Sequence, residues 1–352
     1  MIVSRIEYRA EIVAKGKTGI LDEEGFENYC LERDLGKKTI QAHVKTVKEF
    51  EAFLRTKCQK KSMANANPAN LYTFVKHLMA ENRNTLDNLL PLVRYAFFIN
   101  KKEITVPLLE LIDGSDVLEN LSNTIKQTVG NTEHKAIFEG IKLPPLGTPP
   151  KDRPKITKKF MENLEAELGV GKCREILSSG PHAGPKEYYL PEQKKFLESK
   201  GIDDFLRKRH EEYVEELEKH MREKTLYFNQ EITKEVLDYV SKTPTCQVGV
   251  RKGDIIYVTK IPYRAKEYLR EKDPRKKRYY ACHCAWVREA IKSDLKISPN
   301  FCYCSAGFEK RLWDVVFGQD VKADVLQTVL GGDLICKFAI HVPKEHIGQR
   351  AR

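Results

Sequence analysis

The chain is expected to fold as an α+β protein: an N-terminal all-α helical bundle, then a C-terminal α+β ligand-binding domain ending in a β-hairpin. Three observations predict this. Apolar residues recur at three- and four-residue steps through the first third of the sequence, the period of a helix with one buried face. Alternating apolar residues punctuated by glycine turns occur only after Thr245, the period of strands. Between these regions lies Leu143-Pro144-Pro145-Leu146-Gly147-Thr148-Pro149-Pro150, with Pro154 close behind. Prolines at that density deny helix and sheet and favour an extended spacer. The expected domains are residues 1–142 and 155–345, joined by a linker at 143–154.

Taken in order, Gly36-Lys37-Lys38-Thr39 reads as a loop and N-cap. Ile40, Val44, Val47, Phe50, Phe53 and Leu54 follow as one apolar stripe. Asn65-Ala66-Asn67-Pro68 interrupts it, and Leu71, Phe74, Val75, Leu78 and Met79 begin a second helix. A third runs through Leu86, Leu89, Leu90, Val93, Arg94, Phe97 and Phe98, and Leu108–Leu111 with Val117–Val129 complete the bundle. Beyond the prolines, Phe160, Leu164, Leu168 and Cys173 mark a helix, and Gly180-Pro181-His182-Ala183-Gly184-Pro185 a loop. A long charged helix runs from about Pro191 to Phe228 with Phe205, Tyr213, Leu217 and Met221 as its seam. Cys246–Val250 and Ile255–Thr259 flank Gly253-Asp254 as a hairpin.

Composition bounds the function. The 352 residues are 41% hydrophobic and 32% charged, ordinary for a globular protein and long enough for more than one core. No run approaches the length of apolar sequence that crosses a bilayer, so no membrane partner is expected. Arg5, Glu7, Arg9 and Glu11 interrupt the first segment, which argues against a signal peptide and for a cytoplasmic location. Thiols stay reduced there, so the nine cysteines are expected as thiols or ligands. The net charge of +11 suggests an anionic partner. Its excess is mostly C-terminal: 40 Lys/Arg against 31 Asp/Glu in 151–352, and 21 against 19 in 1–150.

The densest chemistry is a cysteine constellation: Cys282-His283-Cys284, Cys302-Tyr303-Cys304, and Cys336. In an extended chain, residues two apart share a face, so each pair can offer two sulfurs in one direction. Ser305 reads as the N-cap of a helix through Phe308, Leu312 and Val315 to Phe317-Gly318. That places Cys302 and Cys304 just ahead of a helix N-terminus, where partial positive charge favours thiolate. Thiolate binds metal or attacks carbon. Cys282, Cys284, Cys302, Cys304 and Cys336 are therefore candidate metal ligands, with zinc first because it takes four such donors. An iron–sulfur cluster is less favoured because the usual Cys-x2-Cys spacing is missing. Alternatively, Cys302 or Cys304 is a nucleophile with His283 or His182 as base, or the thiols pack as small hydrophobes. Cys30, Cys58, Cys173 and Cys246 are scattered and expected in the core. The basic run Asp273-Pro274-Arg275-Lys276-Lys277-Arg278 precedes the first pair, as an anion-binding segment or an exposed turn.

Two stretches carry resemblances. Phe26 and Tyr29, Thr39-Ile40 opening a helix, Val47, Phe50, Phe53-Leu54, and Leu92-Val93-Arg94 with Phe97-Phe98 resemble the core-binding (SAM-like) domain of tyrosine recombinases, the phage integrases. The resemblance implies a small helical bundle that grips DNA through basic helix faces. Here Lys37, Lys38, Lys45, Lys48, Arg55, Lys57, Lys60 and Lys61 stand against only Glu49 and Glu51, enough for phosphate contacts. Lys45, Lys48 and Arg55 are the candidate contacts, the alternative being a solvated face. Strand transfer is not expected, since no His is followed by Arg at the third position.

Cys304, Gly307, Phe317, Gly318, Gly332, Asp333, Cys336 and Phe338, in that order, resemble the 4-vinyl reductase-type ligand-binding domain. The same ending occurs in relatives of 2-amino-thiazoline-4-carboxylate hydrolase. This implies an α+β fold around a small organic ligand and, in some relatives, a structural zinc. Gln319 to Ile335 holds neither Glu nor Cys, so only Cys304 and Cys336 carry over from that zinc set. The expectation is a small-molecule-binding or sensing protein with a cysteine-rich zinc site. The alternatives are a thiol-dependent hydrolase and a DNA-binding regulator. Expected partners are a small organic ligand, DNA, and a second copy of the chain in a homodimer.

Overall fold

The computed structural model describes residues 21–181 and 184–347. The chain is mixed α+β and divides into two compact units. The first holds the described residues up to Ser115 together with Pro144–Pro150; the second holds Asp116–Leu143 and the described residues from Lys151 on. No helix among the described residues is long and apolar enough to cross a membrane.

Among the described residues the first unit holds five α-helices: α1 (Glu23–Leu31), α2 (Lys37–Lys57), α3 (Pro68–Ala80), α4 (Leu86–Phe98) and α5 (Lys102–Ile112). Local chemistry starts two of them. Asp22 accepts from the Gly25 N–H at 3.0 Å ahead of α1. Asn67 and Asn70 cap each other ahead of α3, where Pro68 at the first helical position sacrifices no hydrogen bond. The stripe read on α2 is buried at Ile40, Val44, Val47, Phe50 and Leu54, and the Phe50 ring meets that of Phe74 at 4.7 Å. The N-cap expected at Thr39 is corrected: α2 begins at Lys37, with Gly36 as an N-cap that makes no side-chain bond. Its first turn is exposed, so water can satisfy the leading N–H groups.

The proline-rich stretch is not a free spacer. Leu146 packs on the core of the first unit, and its carbonyl accepts from Asn84 Nδ2 at 2.8 Å. Gly147 has φ +90°, and a Cβ there would stand 2.6 Å from Val75 Cγ1. Conversely, α6 (Val117–Val129) and α7 (Asn131–Ile137) belong to the second unit. Leu121, Ile125 and Ile137 share a core with Phe160, Met161 and Leu164 of α8 (Pro154–Leu177). The compact units thus differ from a division at 143–154, because burial of these apolar side chains, not local proline content, decides which segments cohere.

The second unit continues with α9 (Leu190–Leu197), α10 (Ile202–Glu223), β1 (Leu226–Tyr227), β2 (Gln230–Glu231) and α11 (Lys234–Ser241). Next come β3 (Val250–Lys252), β4 (Ile255–Thr259), α12 (Ala265–Arg270), α13 (Pro274–Ala281) and α14 (Tyr303–Val316). It ends with β5 (Ala323–Gln327), β6 (Lys337–His341) and α15 (Lys344–Ile347). The single helix expected over Pro191–Phe228 is broken at Gly201, whose φ of +125° separates α9 from α10. Two hairpins join in one antiparallel sheet of order β3-β4-β6-β5, with Ile256 opposite Ile340 and Val258 opposite Phe338; the strand expected at Cys246–Val250 is corrected to Val250–Lys252, Cys246 making only an isolated parallel bridge to Thr259. Those four residues form a core with Leu217 of α10 and with Trp313 and Val316 of α14.

Helix α14 passes so close to the end of α8 that position 307 must be glycine. A Cβ there would stand 2.6 Å from the Ser178 carbonyl oxygen and 2.7 Å from the Gly180 nitrogen, backbone atoms that cannot swing away. Gly307→Ala is expected to cost about 1–3 kcal/mol, the usual overpacking penalty. Urea unfolding checks this as a lowered midpoint at unchanged slope; a midpoint equal to wild type would contradict it.

Candidate functional site

The second unit gathers five cysteines from neighbouring segments. Cys282 is the C-cap of α13, and Cys284 follows it in the coil. Cys302 ends the short turn Pro299–Cys302 and is the N-cap of α14, while Cys304 lies in the first turn of that helix. Cys336 directly precedes β6. Cys282, Cys284, Cys304 and Cys336 join one apolar core with Trp286, Phe301 and Val329, and Cys302 Sγ lies 3.0 Å from Thr328 Oγ1. None of the nine cysteines is in a disulfide. Cys30, Cys173 and Cys246 are buried and Cys58 is half-buried.

Cys302 and Cys304 do not form the extended pair that their spacing suggests, whereas the backbone at Cys282 is extended. Because α14 begins at Tyr303, Ser305 is inside the helix and is not its N-cap, a correction to the sequence reading. Cys302 and Cys304 are on helical backbone, where residues two apart do not face each other. Among the described residues, no group of three or more His, Cys, Asp or Glu side chains is arranged to hold a metal ion.

The electrostatics oppose the thiolate expected at the helix N-terminus. Burial pushes the thiols of Cys282, Cys302 and Cys304 well above the ordinary range, and neighbouring cysteines push them further. Burial raises Cys336 as well. At neutral pH these are S–H groups. The His283 ring donates from Nε2 to the Ile261 carbonyl at 2.5 Å; burial, with Lys260 nearby, pushes its pKa down to about 3. That nitrogen is occupied by the backbone, so it is not placed to take a proton from a thiol. His182 lies outside the described residues. In the native protein at neutral pH, iodoacetamide should therefore label the half-buried Cys58 before the buried Cys282 and Cys304. Peptide mass spectrometry checks the order, and early labelling of Cys304 would restore the nucleophile.

Two charged residues beside this core escape sequence reasoning. Lys260 Nζ and Glu309 Oε1 stand 3.3 Å apart, with side chains only 10% and 9% exposed. Lys260 also donates to Ser305 Oγ at 3.3 Å, and its charge reaches Cys284, Cys304 and Cys336. A lysine directly after the apolar run of β4 is the one signal that could find it; Glu309 has no mark within its helical pattern. The basic run is not an open turn either: Asp273 caps α13, Arg275 donates to the Ile291 carbonyl at 2.7 Å, and Lys277 lies over the Tyr268 ring.

In the first unit, Lys37, Lys38, Lys45, Lys48 and Arg55 are all exposed along α2. Lys38, Lys45, Lys48 and Arg55 are spaced by three or seven, which keeps them on one helix face. The two glutamates beside them on the helix, Glu49 four residues after Lys45 and Glu51 four before Arg55, are held by other groups. Glu51 is 3% exposed and accepts from the Met63 N–H at 3.2 Å. Glu49 is clasped by Arg83, at 2.6 Å to each oxygen, and that bond holds its carboxyl below the usual range. Lys48 pairs with Glu23 at 2.7 Å and Arg55 with Glu51 at 3.5 Å. The Lys48–Glu23 pair is exposed on both sides, and such pairs are worth ~0–1 kcal/mol, so a phosphate can replace that carboxylate.

No curated protein and no solved structure matches this chain. Residues 24–102, from α1 to the start of α5, match the family model described as phage integrase, N-terminal SAM-like domain, and the first unit therefore carries a domain of that kind.

Proposed function

We propose that this chain is a DNA-binding protein whose α2 lays its basic face along the phosphate backbone. The observation that carries the reading is the match of residues 24–102 to the integrase SAM-like domain, on a unit whose longest helix exposes Lys37, Lys38, Lys45, Lys48 and Arg55 together. Phosphate contacts by such side chains supply sequence-independent affinity, with Kd on the order of 10⁻⁴–10⁻⁶ M at physiological salt. Fluorescence anisotropy of a short labelled duplex titrated with the full chain tests this. Binding that weakens steeply with salt supports it, and no binding even at low salt overturns it.

A second reading concerns the other unit: it binds a small organic ligand. A cavity of about 390 Å³, framed by α9, α10, α14 and β4, favours it, since small-molecule sites commonly measure ~300–1,000 Å³. The resemblance of the C-terminal segment to the 4-vinyl reductase-type domain agrees with this reading. Together the two describe a DNA-binding protein that responds to a small molecule.

A further inference from the structure

We infer that the cavity takes a small organic cation, an amine or alkylammonium compound; the inference rests on the small-ligand reading above. Its charges are unequal. The carboxylates of Glu192, Glu212, Glu216 and Glu309 line it, against the cations Lys195 and Arg209.

Both cations are already engaged. Glu192 takes Lys195 at 3.1 Å and Arg209 Nε at 2.5 Å, and Lys195 also bonds Glu212 at 2.6 Å. Glu309 has Lys260 behind it, at 3.3 Å. Glu216 is solvent-exposed where it lines the cavity and has neither ion pair nor hydrogen bond among the described residues; the protein groups packed around it push its carboxyl up, and Lys195 only partly offsets this. A carboxylate left in that state is stabilised by an arriving positive charge.

The walls suit such a guest. Glu216 lies within electrostatic reach of both Tyr213 and Tyr227, whose rings meet edge-on at 5.8 Å. Phe308 and Trp313 face the same space. Aromatic faces attract ammonium groups. Arg209 adds one buried Nη1 with no hydrogen-bond partner, a donor that a hydroxyl or ether oxygen on the guest would satisfy. An anion could reach that one N–H, but it would meet the four carboxylates that line the same space.

Calorimetric titration of the full chain with phenethylammonium, phenethyl alcohol and phenylacetate, which differ mainly in charge, tests the inference. Saturable binding of phenethylammonium is expected, with the other two about ten-fold weaker or more, the effect of forgoing one charge-assisted hydrogen bond. Glu216→Gln should weaken the cation by a similar factor and leave phenethyl alcohol unchanged, at an unaltered melting temperature. Equal binding of all three probes, or no effect of Glu216→Gln, overturns the cation assignment while the small-ligand reading stands. No saturable binding of any probe overturns both.

Discussion

Lys260→Met is expected to destabilise the second unit by about 3–5 kcal/mol, the cost of leaving one member of a buried ion pair without its partner. Glu309 is nine-tenths buried beside Lys260 and would keep its charge in an apolar setting. Removing both charges is a different experiment. Lys260→Met with Glu309→Leu replaces the pair by apolar groups of similar size, which is often neutral or stabilising, so the double variant should regain most of the loss. Urea unfolding of the four chains checks this; a double variant as unstable as Lys260→Met alone would contradict it.

The same pair sets a pH dependence. Burial alone would lower the Lys260 ammonium, but Glu309 and Cys336 outweigh it and hold it above the ordinary lysine value of 10.5. A group raised in the folded state contributes stability that is complete below the unfolded value and lost as pH rises through the folded one. Wild type should therefore lose this increment on the alkaline side of 10.5, and Lys260→Met should not.

The second large effect is on DNA. Replacing Lys45, Lys48 and Arg55 together by alanine should lower the slope of log K against log salt by roughly three, about one for each phosphate that is no longer neutralised. The affinity gap between variant and wild type then widens as salt falls. Lys45 contributes most directly, since no ion pair engages it among the described residues, whereas Lys48 and Arg55 must first release Glu23 and Glu51. All three side chains are exposed, so the melting temperature should hold. An unchanged slope would remove this face from the interface.

Much of this was legible in the sequence where short-range periodicity governs. The α2 stripe, the break before Pro68 and the turn at Gly253-Asp254 follow from spacing and turn residues alone. The integrase-like pattern also rests on such stripes, and its residues fall within the matched segment. The remainder depends on contacts between distant segments. Nothing local to Val117–Val129 says that its apolar face packs with α8. Nothing local to Cys302-Tyr303-Cys304 says that the helix starts two residues before Ser305, which turns an extended pair into a helical one. Lys260 and Glu309 are unremarkable until tertiary packing buries them together, and Glu216 is unremarkable until the fold sets it in one cavity lining with Tyr213 and Tyr227.

Lysine footprinting decides whether α2 touches DNA. The full chain is acetylated with and without saturating duplex, and each lysine is read by mass spectrometry. DNA should protect Lys37, Lys38, Lys45 and Lys48, while Lys194 and Lys234, exposed on the second unit, react at unchanged rates. Protection confined to lysines of the second unit, or no protection at saturating DNA, would contradict a DNA-binding SAM-like domain.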